Sequence, residues 1–334
     1  ANNIALGYEA GAQVKTGADN IALGQSALGG ADVSGSYNVA IGREAGKSIT
    51  SGEFQIALGY FAGSCNADGI GNIALGCKSL QGNVSADFNV AIGPQAGQLI
   101  AGGCNVFMGY GAATSSGTAT DNTAAQNVAV GMYAASAITD GTMNTLVGSY
   151  AGANLTTGSG NVALGFAAGC KTTTSGYNVY LGDSAGRNMQ TGDYNFAGGY
   201  AALHGSGTAA DNTGDYNVAL GYKAGNVITS GASNVLIGKN AGDALTTGGN
   251  NVYLGNNAGK GNTTTSNGIM IGQATGQNIS GGSNIFIGCA AGQGTGTAAD
   301  NDASQNVAIG FDAGKTLTDG DRNIFLGRDA GSSV

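Results

Sequence analysis

Few residues of this chain have types and spacings that could do chemistry. Ser184 stands in Gly182-Asp183-Ser184-Ala185-Gly186, the G-x-S-x-G spacing that presents a nucleophilic serine on a strand–turn–helix elbow. Such a serine needs a base beside it, and the chain holds a single histidine, His204. The word G-x-x-A-G recurs throughout the sequence, so Ser184 completes the pattern as one variant of a repeat, without the helix the elbow requires. One histidine also excludes a two-histidine mechanism or a multi-histidine metal site within one chain. Asp319-Gly320-Asp321 has the spacing of a calcium-loop fragment, but no copy carries the G-G-x-G-x-D repeat that holds calcium between coils. These are read as surface acids. Gly292-Gln293-Gly294 lacks the strand–helix setting of a dinucleotide loop. Cys65, Cys77, Cys104, Cys170 and Cys289 form no C-x-x-C pair, which indicates neither a disulfide framework nor a zinc site. They read as small buried fillers, with room for an interchain bond. No catalytic residue, cofactor or metal is implied.

What must position any functional side chain is a nine-residue word, N-Φ-A-Φ-G-x-x-A-G, with Φ aliphatic. It starts at Asn3, Asn20, Asn38, Gln55, Asn72, Asn89, Asn105, Asn127, Asn144 and Asn161, then at Asn178, Asn195, Asn217, Asn234, Asn251, Gly268, Asn284, Asn306 and Asn323. These 19 copies run through the whole chain, and self-similarity at a fixed period settles the architecture before local reading begins. Numbered from its first residue, the repeat has Ile or Val at position 2, an aliphatic at 4, Gly at 5 and Ala at 8. A second apolar site near position 12 includes Ile49, Ile100, Leu155 and Leu245. Alternation over positions 2 to 4 is strand periodicity, and the glycine suits a turn with positive φ. One coil of about 17 residues is expected to run strand, turn, short second strand, turn. Stacked at one strand spacing, such coils give an all-β parallel β-solenoid, with positions 2, 4, 8 and 12 inward. The recurring Asn is expected to form an amide ladder between coils.

Composition bounds the rest. Length alone suggests about two domains, but the uniform repeat predicts one continuous domain over 1–334. Sixty-four glycines with a single proline and no G-X-Y period exclude collagen. A 42% hydrophobic content supports a core. A net charge of −8 argues against nucleic-acid binding, and no apolar run is long enough to span a bilayer. The chain begins and ends inside repeats without an initiator Met or leader, which reads as a segment of something longer.

Two features bear on partners. Position 3 is Ala in the first six copies, but later becomes large and apolar at Phe107, Tyr180, Tyr253, Phe286 and Phe325 among others. With 2 and 4 taken as inward, these side chains face outward and are the candidate self-association surface. Secondly, the spacing widens to 22 after Asn105, Asn195 and Asn284, where near-identical words are inserted near 114–126, 204–216 and 293–305. Insertions in solenoids project from one face, so Thr118, Asp121, Asn122, Thr208, Asp211, Asn212, Thr297, Asp300 and Asn301 are candidate binding residues. The aromatics after the invariant Gly (Tyr8, Tyr60, Tyr110, Phe166, Tyr200, Tyr222, Phe311) are read either as packing between coils or as a carbohydrate-stacking stripe.

Asn38-Val-Ala-Ile-Gly42, Asn89-Val-Ala-Ile-Gly93 and Asn306-Val-Ala-Ile-Gly310 resemble the head repeats of trimeric autotransporter adhesins. Similar N-x-A-I-G-x-x-A-G arrays occur in bacteriophage tail-fibre proteins, whose longer, Thr/Gly-rich repeat is closer to this one. The resemblance covers the chain and implies a left-handed β-roll, three chains side by side, and an extracellular adhesive or fibrous role. The coil here is longer than in the adhesin heads, and no heptad stalk or membrane anchor accompanies it. The expectation is thus a non-enzymatic extracellular structural protein that associates with itself, as a trimer or an end-to-end filament, and meets a cell-surface glycan or protein. Ice binding by threonine-bearing faces is the further alternative, although Thr156, Thr173, Thr246 and Thr263 do not keep register in every coil.

Overall fold

The computed structural model of the chain describes residues 2–30, 32–118, 121–208 and 212–332. It is an all-β parallel β-solenoid in which each repeat contributes one three-residue strand, from β1 (Ile4–Leu6) to β19 (Ile324–Leu326). Two compact units divide it, 1–163 and 164–334, and the division falls within β10 (Val162–Leu164). In the first unit, each strand from β1 to β9 (Thr145–Val147) pairs in parallel with the next, and equivalent repeat positions lie opposite each other, as with Ile4 and Ile21, or Val128 and Thr145. The same in-register pairing runs from β11 (Val179–Leu181) to β19 in the second.

The invariant glycine is explained by backbone proximity. At Gly42, φ is 128°, and a Cβ there would lie 2.7 Å from the carbonyl oxygen of Gly59 on the next coil. No L-residue adopts that φ without strain, and the stacking leaves no space for one. Beyond the strand, the expected second strand does not form. Among the described residues, only the isolated bridges Val14–Val33 and Glu53–Ile70 appear there. The chain between positions 10 and 15 instead stacks through single hydrogen bonds, such as Thr50 N–H to the Ala67 carbonyl at 2.9 Å.

The strand faces are opposite to the sequence expectation. Position 3 points into the coil: Ala40, Ala91, Phe107, Leu146, Tyr180, Tyr253, Met270 and Phe286 are all buried. Positions 2 and 4 point outward and are half-buried or exposed in every copy. Positions 8 and 12 are inward as expected, through Ala45, Ala96, Ile100, Ile138 and Leu245. The physical reason is what already fills the coil: positions 3, 8 and 12 do so together, as Ala40, Ala45 and Ile49 or Tyr180, Ala185 and Met189, and the branched residues at 2 and 4 stand on the opposite face of the strand. They gain their partial burial by lying against the same positions on neighbouring coils.

Candidate binding surfaces

Each unit carries three kinds of outward feature, all built on the repeat. The first is the apolar strand face. Position 3 having turned inward, Phe107, Tyr180, Tyr253 and Phe286 are core residues and cannot be the self-association surface. Phe325, half-buried on the last coil, has its ring beside Gly314 and Gly331 on the same inner side. In their place, Ile, Val and Leu at positions 2 and 4 form two parallel apolar columns. In the first unit these include Ile56, Leu58, Ile73 and Leu75, and in the second Val235, Ile237, Val252 and Leu254.

The second feature is aromatic. Besides the half-exposed rings after the glycine (Tyr60, Tyr110, Tyr200, Tyr222, Phe311), the residue before the Asn is exposed except at Gly71 and Gly160, and is often aromatic. In the second unit Tyr177 and Tyr194 stack with centroids 5.3 Å apart, and Tyr194 and Tyr216 at 5.1 Å, nearly parallel. Tyr37 and Phe54 stack in the same way in the first unit at 5.1 Å. These tyrosines adopt positive φ, between 56° and 63°. That backbone region is unfavourable for bulky side chains, and the stacked rings offset part of its cost. The sequence signal was available, since aromatics recur directly before Asn at coil spacing.

The third feature is the set of inserted loops. Thr118, Asp121, Thr208 and Thr297 are exposed as expected, and the Thr118 hydroxyl donates to the Asp121 carboxylate. Asp211 lies outside the described residues, and the Asp300 backbone closes a short 3-10 turn, Ala298–Asp300. The three asparagines are not presented to a partner. Asn122, Asn212 and Asn301 are buried and tie each loop down. Asn212 Nδ2 donates to the carbonyls of Asn188 at 3.0 Å and Thr208 at 3.0 Å, while its Oδ1 accepts from Ser206 N–H at 3.0 Å. Asn122 reaches the Leu99 carbonyl and Asn301 the Asn278 carbonyl in the same manner. An amide supplies both donor and acceptor, which is what a loop returning to a coil edge requires.

The asparagine column holds the coils together chiefly through backbone. Oδ1 of one Asn accepts the main-chain N–H of the Asn on the next coil, as from Asn38 to Asn20 and from Asn234 to Asn217. Nδ2 donates to a glycine carbonyl near the end of its own coil, as Asn38 does to Gly52 at 2.8 Å. Amide-to-amide bonds join in at Asn105, Asn144, Asn234 and Asn251. Gln55 keeps part of the role: its backbone N–H donates to Asn38 Oδ1 and its Nε2 to the Gly69 carbonyl, while its Oε1 accepts from Asn66 Nδ2 on its own coil. Gly268 lacks it, and neighbouring Asn267 is exposed rather than substituting.

Of the remaining sequence candidates, the cysteines are not buried fillers: Cys65, Cys77 and Cys104 are exposed and all five are free thiols. Ser184 is buried, and its hydroxyl donates to Asp183 at 2.7 Å. His204 lines the same cleft, but its Nδ1 lies 3.0 Å from the Gly205 carbonyl, and no Ser184–His204 hydrogen bond joins a nucleophile to a base among the described residues. Threonine hydroxyls of the turn segments are engaged by carbonyls of the next coil, at Thr139, Thr229 and Thr246. No helix is long and apolar enough to cross a membrane among the described residues. Searches against known protein families and characterised proteins returned no match to the chain.

Proposed function

We propose that the chain is a non-enzymatic structural protein of an extracellular fibre or adhesin, and that it associates with copies of itself through the outward strand face. The observation that carries this reading is the pair of apolar columns at positions 2 and 4, broken in the described strands only by Thr145 and Gly198. Contiguous exposed apolar surface of this kind marks an interaction site on soluble proteins. A second copy of the same chain suits it, because equal spacing lets identical columns meet along their length, and closed symmetric assembly removes the exposed face. The resemblance to trimeric adhesin heads and to tail-fibre repeats favours three chains side by side. Exposed loop residues such as Thr118, Asp121 and Thr297, with the rows of exposed rings, would then remain outward for contact with a surface.

Sedimentation of the intact chain tests the assembly. A discrete particle near three times 32.4 kDa is expected. Replacing Ile56, Ile73 and Val90 together by Lys should return it to the mass of one chain, with an unchanged circular dichroism spectrum. A heavy polydisperse population with visible threads would favour the end-to-end filament instead. A wild-type chain that sediments as a monomer would end the self-association reading.

A further inference from the structure

On three consecutive coils of the second unit, Arg187 and His204 at position 10 and Lys223 at position 7 line one cleft of about 260 Å³ with Ser184, Tyr200, Ala201 and Asn226. The chain has only 12 Lys and Arg in all, with a net charge of −8, so two of them and the one histidine in a single cleft is a local reversal of sign. Lys15, Arg43, Lys47, Lys315 and Arg328 each sit within 4.0 Å of a carboxylate, whereas Lys78, Lys171, Lys239, Lys260 and Arg322 stand singly on other coils without one among the described residues. Arg187 and Lys223 have no such partner among the described residues. Two acids lie nearby. Asp183, beside Ser184 in the chain, accepts the Ser184 hydroxyl, and Asp243, half-buried on the coil beyond Asn226, is pushed up by burial, with Lys260 and, less, Lys223 acting against that rise.

The walls add a shape. Tyr222 stacks on Tyr200 at 5.4 Å with 13° between the rings, and Lys223 Nζ lies 5.5 Å over the outer ring of that pair. Tyr200 is half exposed, and among the described residues no ring covers its other face, where the preceding coil carries Asp183 in place of an aromatic. Ser184 and Ala201, both small, form the floor at position 7. His204 donates from Nδ1 to the Gly205 carbonyl at 3.0 Å, and its Nε2 has no hydrogen-bond partner among the described residues.

From this arrangement we propose that the cleft binds a saccharide unit bearing one carboxylate or sulfate group. Arg187 and Lys223 would take the anion, by charge-assisted hydrogen bonds. Tyr200 would take an apolar face of the ring, while Ser184 and Asn226 meet its hydroxyls. The volume admits about one sugar unit, and an uncharged sugar would leave both cations unanswered. The proposal rests on the adhesin-or-fibre reading only for where such a sugar would be met. Its test uses the isolated chain, so its failure leaves the sedimentation result standing, and the converse holds.

The experiment is titration of the intact chain, by calorimetry or protein-observed NMR, with N-acetylneuraminic acid, glucose 6-sulfate, galactose and sodium sulfate. Saturable binding of the two charged sugars, weakened by added salt, and none of galactose is expected. Arg187→Gln with Lys223→Gln should weaken the charged sugars about tenfold or more, the loss expected for removing charged hydrogen bonds. Tyr200→Ala should weaken the sugars and leave sulfate unchanged. Each variant is checked for an unaltered circular dichroism spectrum. Failure of both charged sugars to bind, or binding that survives the double substitution, overturns the proposal. So does sulfate binding as well as the sugars with no effect of Tyr200→Ala, which would leave a plain anion site.

Discussion

The two units fill the same coil in two ways. In the first, position 3 is mostly Ala, and two coils add volume at position 9, where Leu28 lies with Ala22 and Leu80 with Ala74, while Phe107 and Leu146 add it at position 3, all buried. In the second, volume comes from position 3: Tyr180, Tyr253, Met270 and Phe286 are buried, and position 9 of their coils is Gly186, Gly259, Gly276 and Gly292. A Cβ at Gly259 would lie 2.4 Å from the Tyr253 ring, and one at Gly292 would lie 2.4 Å from the Phe286 ring. The second unit also keeps one coil of the other kind, Ala197 with Leu203. Positions 3 and 9 thus share one volume, and a coil can place its large side chain at either but not both. A close-packed interior responds to a single misplaced methylene, which is why the exchange is reciprocal.

That comparison is most directly broken by Gly259→Leu. A leucine beside Tyr253 has no space, and overpacking should cost about 3 kcal/mol or more of unfolding free energy. The backbone is not the obstacle, because Leu28, Leu80 and Leu203 adopt φ of 45° to 48° at the same position. Adding Tyr253→Ala should therefore restore most of the loss, since the pair reproduces the Ala197–Leu203 coil. Denaturant melts of the two single variants and the double give the coupling energy. Additive effects would dismiss the shared-volume account.

A smaller effect separates the asparagine column of the two units. Asn144 accepts the Asn161 N–H at 2.9 Å and donates to the Gly158 carbonyl at 3.0 Å. Asn144→Ala should therefore cost about 2 kcal/mol, because buried groups lose their partners. Gly268 occupies the equivalent place in the second unit without a side chain, although it still donates its N–H to Asn251 Oδ1 at 2.8 Å. Gly268→Asn should stabilise by about 1 kcal/mol, by offering an acceptor to the next coil and by removing glycine's freedom in the unfolded chain. A Cβ there lies 3.1 Å from Asn251 Oδ1, a contact that a few tenths of an ångström relieve. Thermal melts in which both substitutions destabilise would show that the column is steric rather than hydrogen-bonded.

The sequence displays the solenoid plainly, because glycine at position 5 and alanine at position 8 are forced by backbone stacking and recur without reference to partners. The strand phase was misread because size was taken as the sign of burial. Position 3 is the inner one whatever its size: Ala57 and Ala74 lie inside with Ile56 and Leu75 outside, and Tyr253 lies inside between Val252 and Leu254. The 3-to-9 exchange was legible as well: Leu28, Leu80 and Leu203 replace the usual glycine only in coils with Ala at position 3. By contrast, no repeat pattern marks the cleft of Arg187, His204 and Lys223. Its members come from two different positions on three coils, and only stacking brings them together. The buried role of Asn122, Asn212 and Asn301 was hidden for a related reason, as a loop's anchor and its tip share one polar composition.

The finest difference between the units is a hydroxyl. Alanine and leucine fill a coil with no polar atom, whereas Tyr180 and Tyr253 carry their hydroxyls into the core, where neither has a hydrogen bond of ordinary geometry. For Tyr253 the neighbours are engaged elsewhere: Thr265 donates to the Ile279 carbonyl at 2.8 Å, and Asn262 Nδ2 to the Gly276 carbonyl at 3.0 Å. Tyr253→Phe should therefore be neutral or stabilising by about 1 kcal/mol at pH 7, as removal of an unpaired buried polar group is. The same burial pushes the Tyr253 phenol up to about 12 from its ordinary value of 10.0, and raises Tyr180 as well. The folded state holds these protons more tightly than the unfolded chain does, so their contribution is intact below pH 10. It is lost as pH climbs from 10 towards 12, where the unfolded chain ionises first. Melting temperature should fall across that window in the wild type and fall less in Tyr180→Phe/Tyr253→Phe. Identical alkaline profiles for the two proteins would place the titrating groups on the surface, and the two kinds of coil would then differ in volume alone.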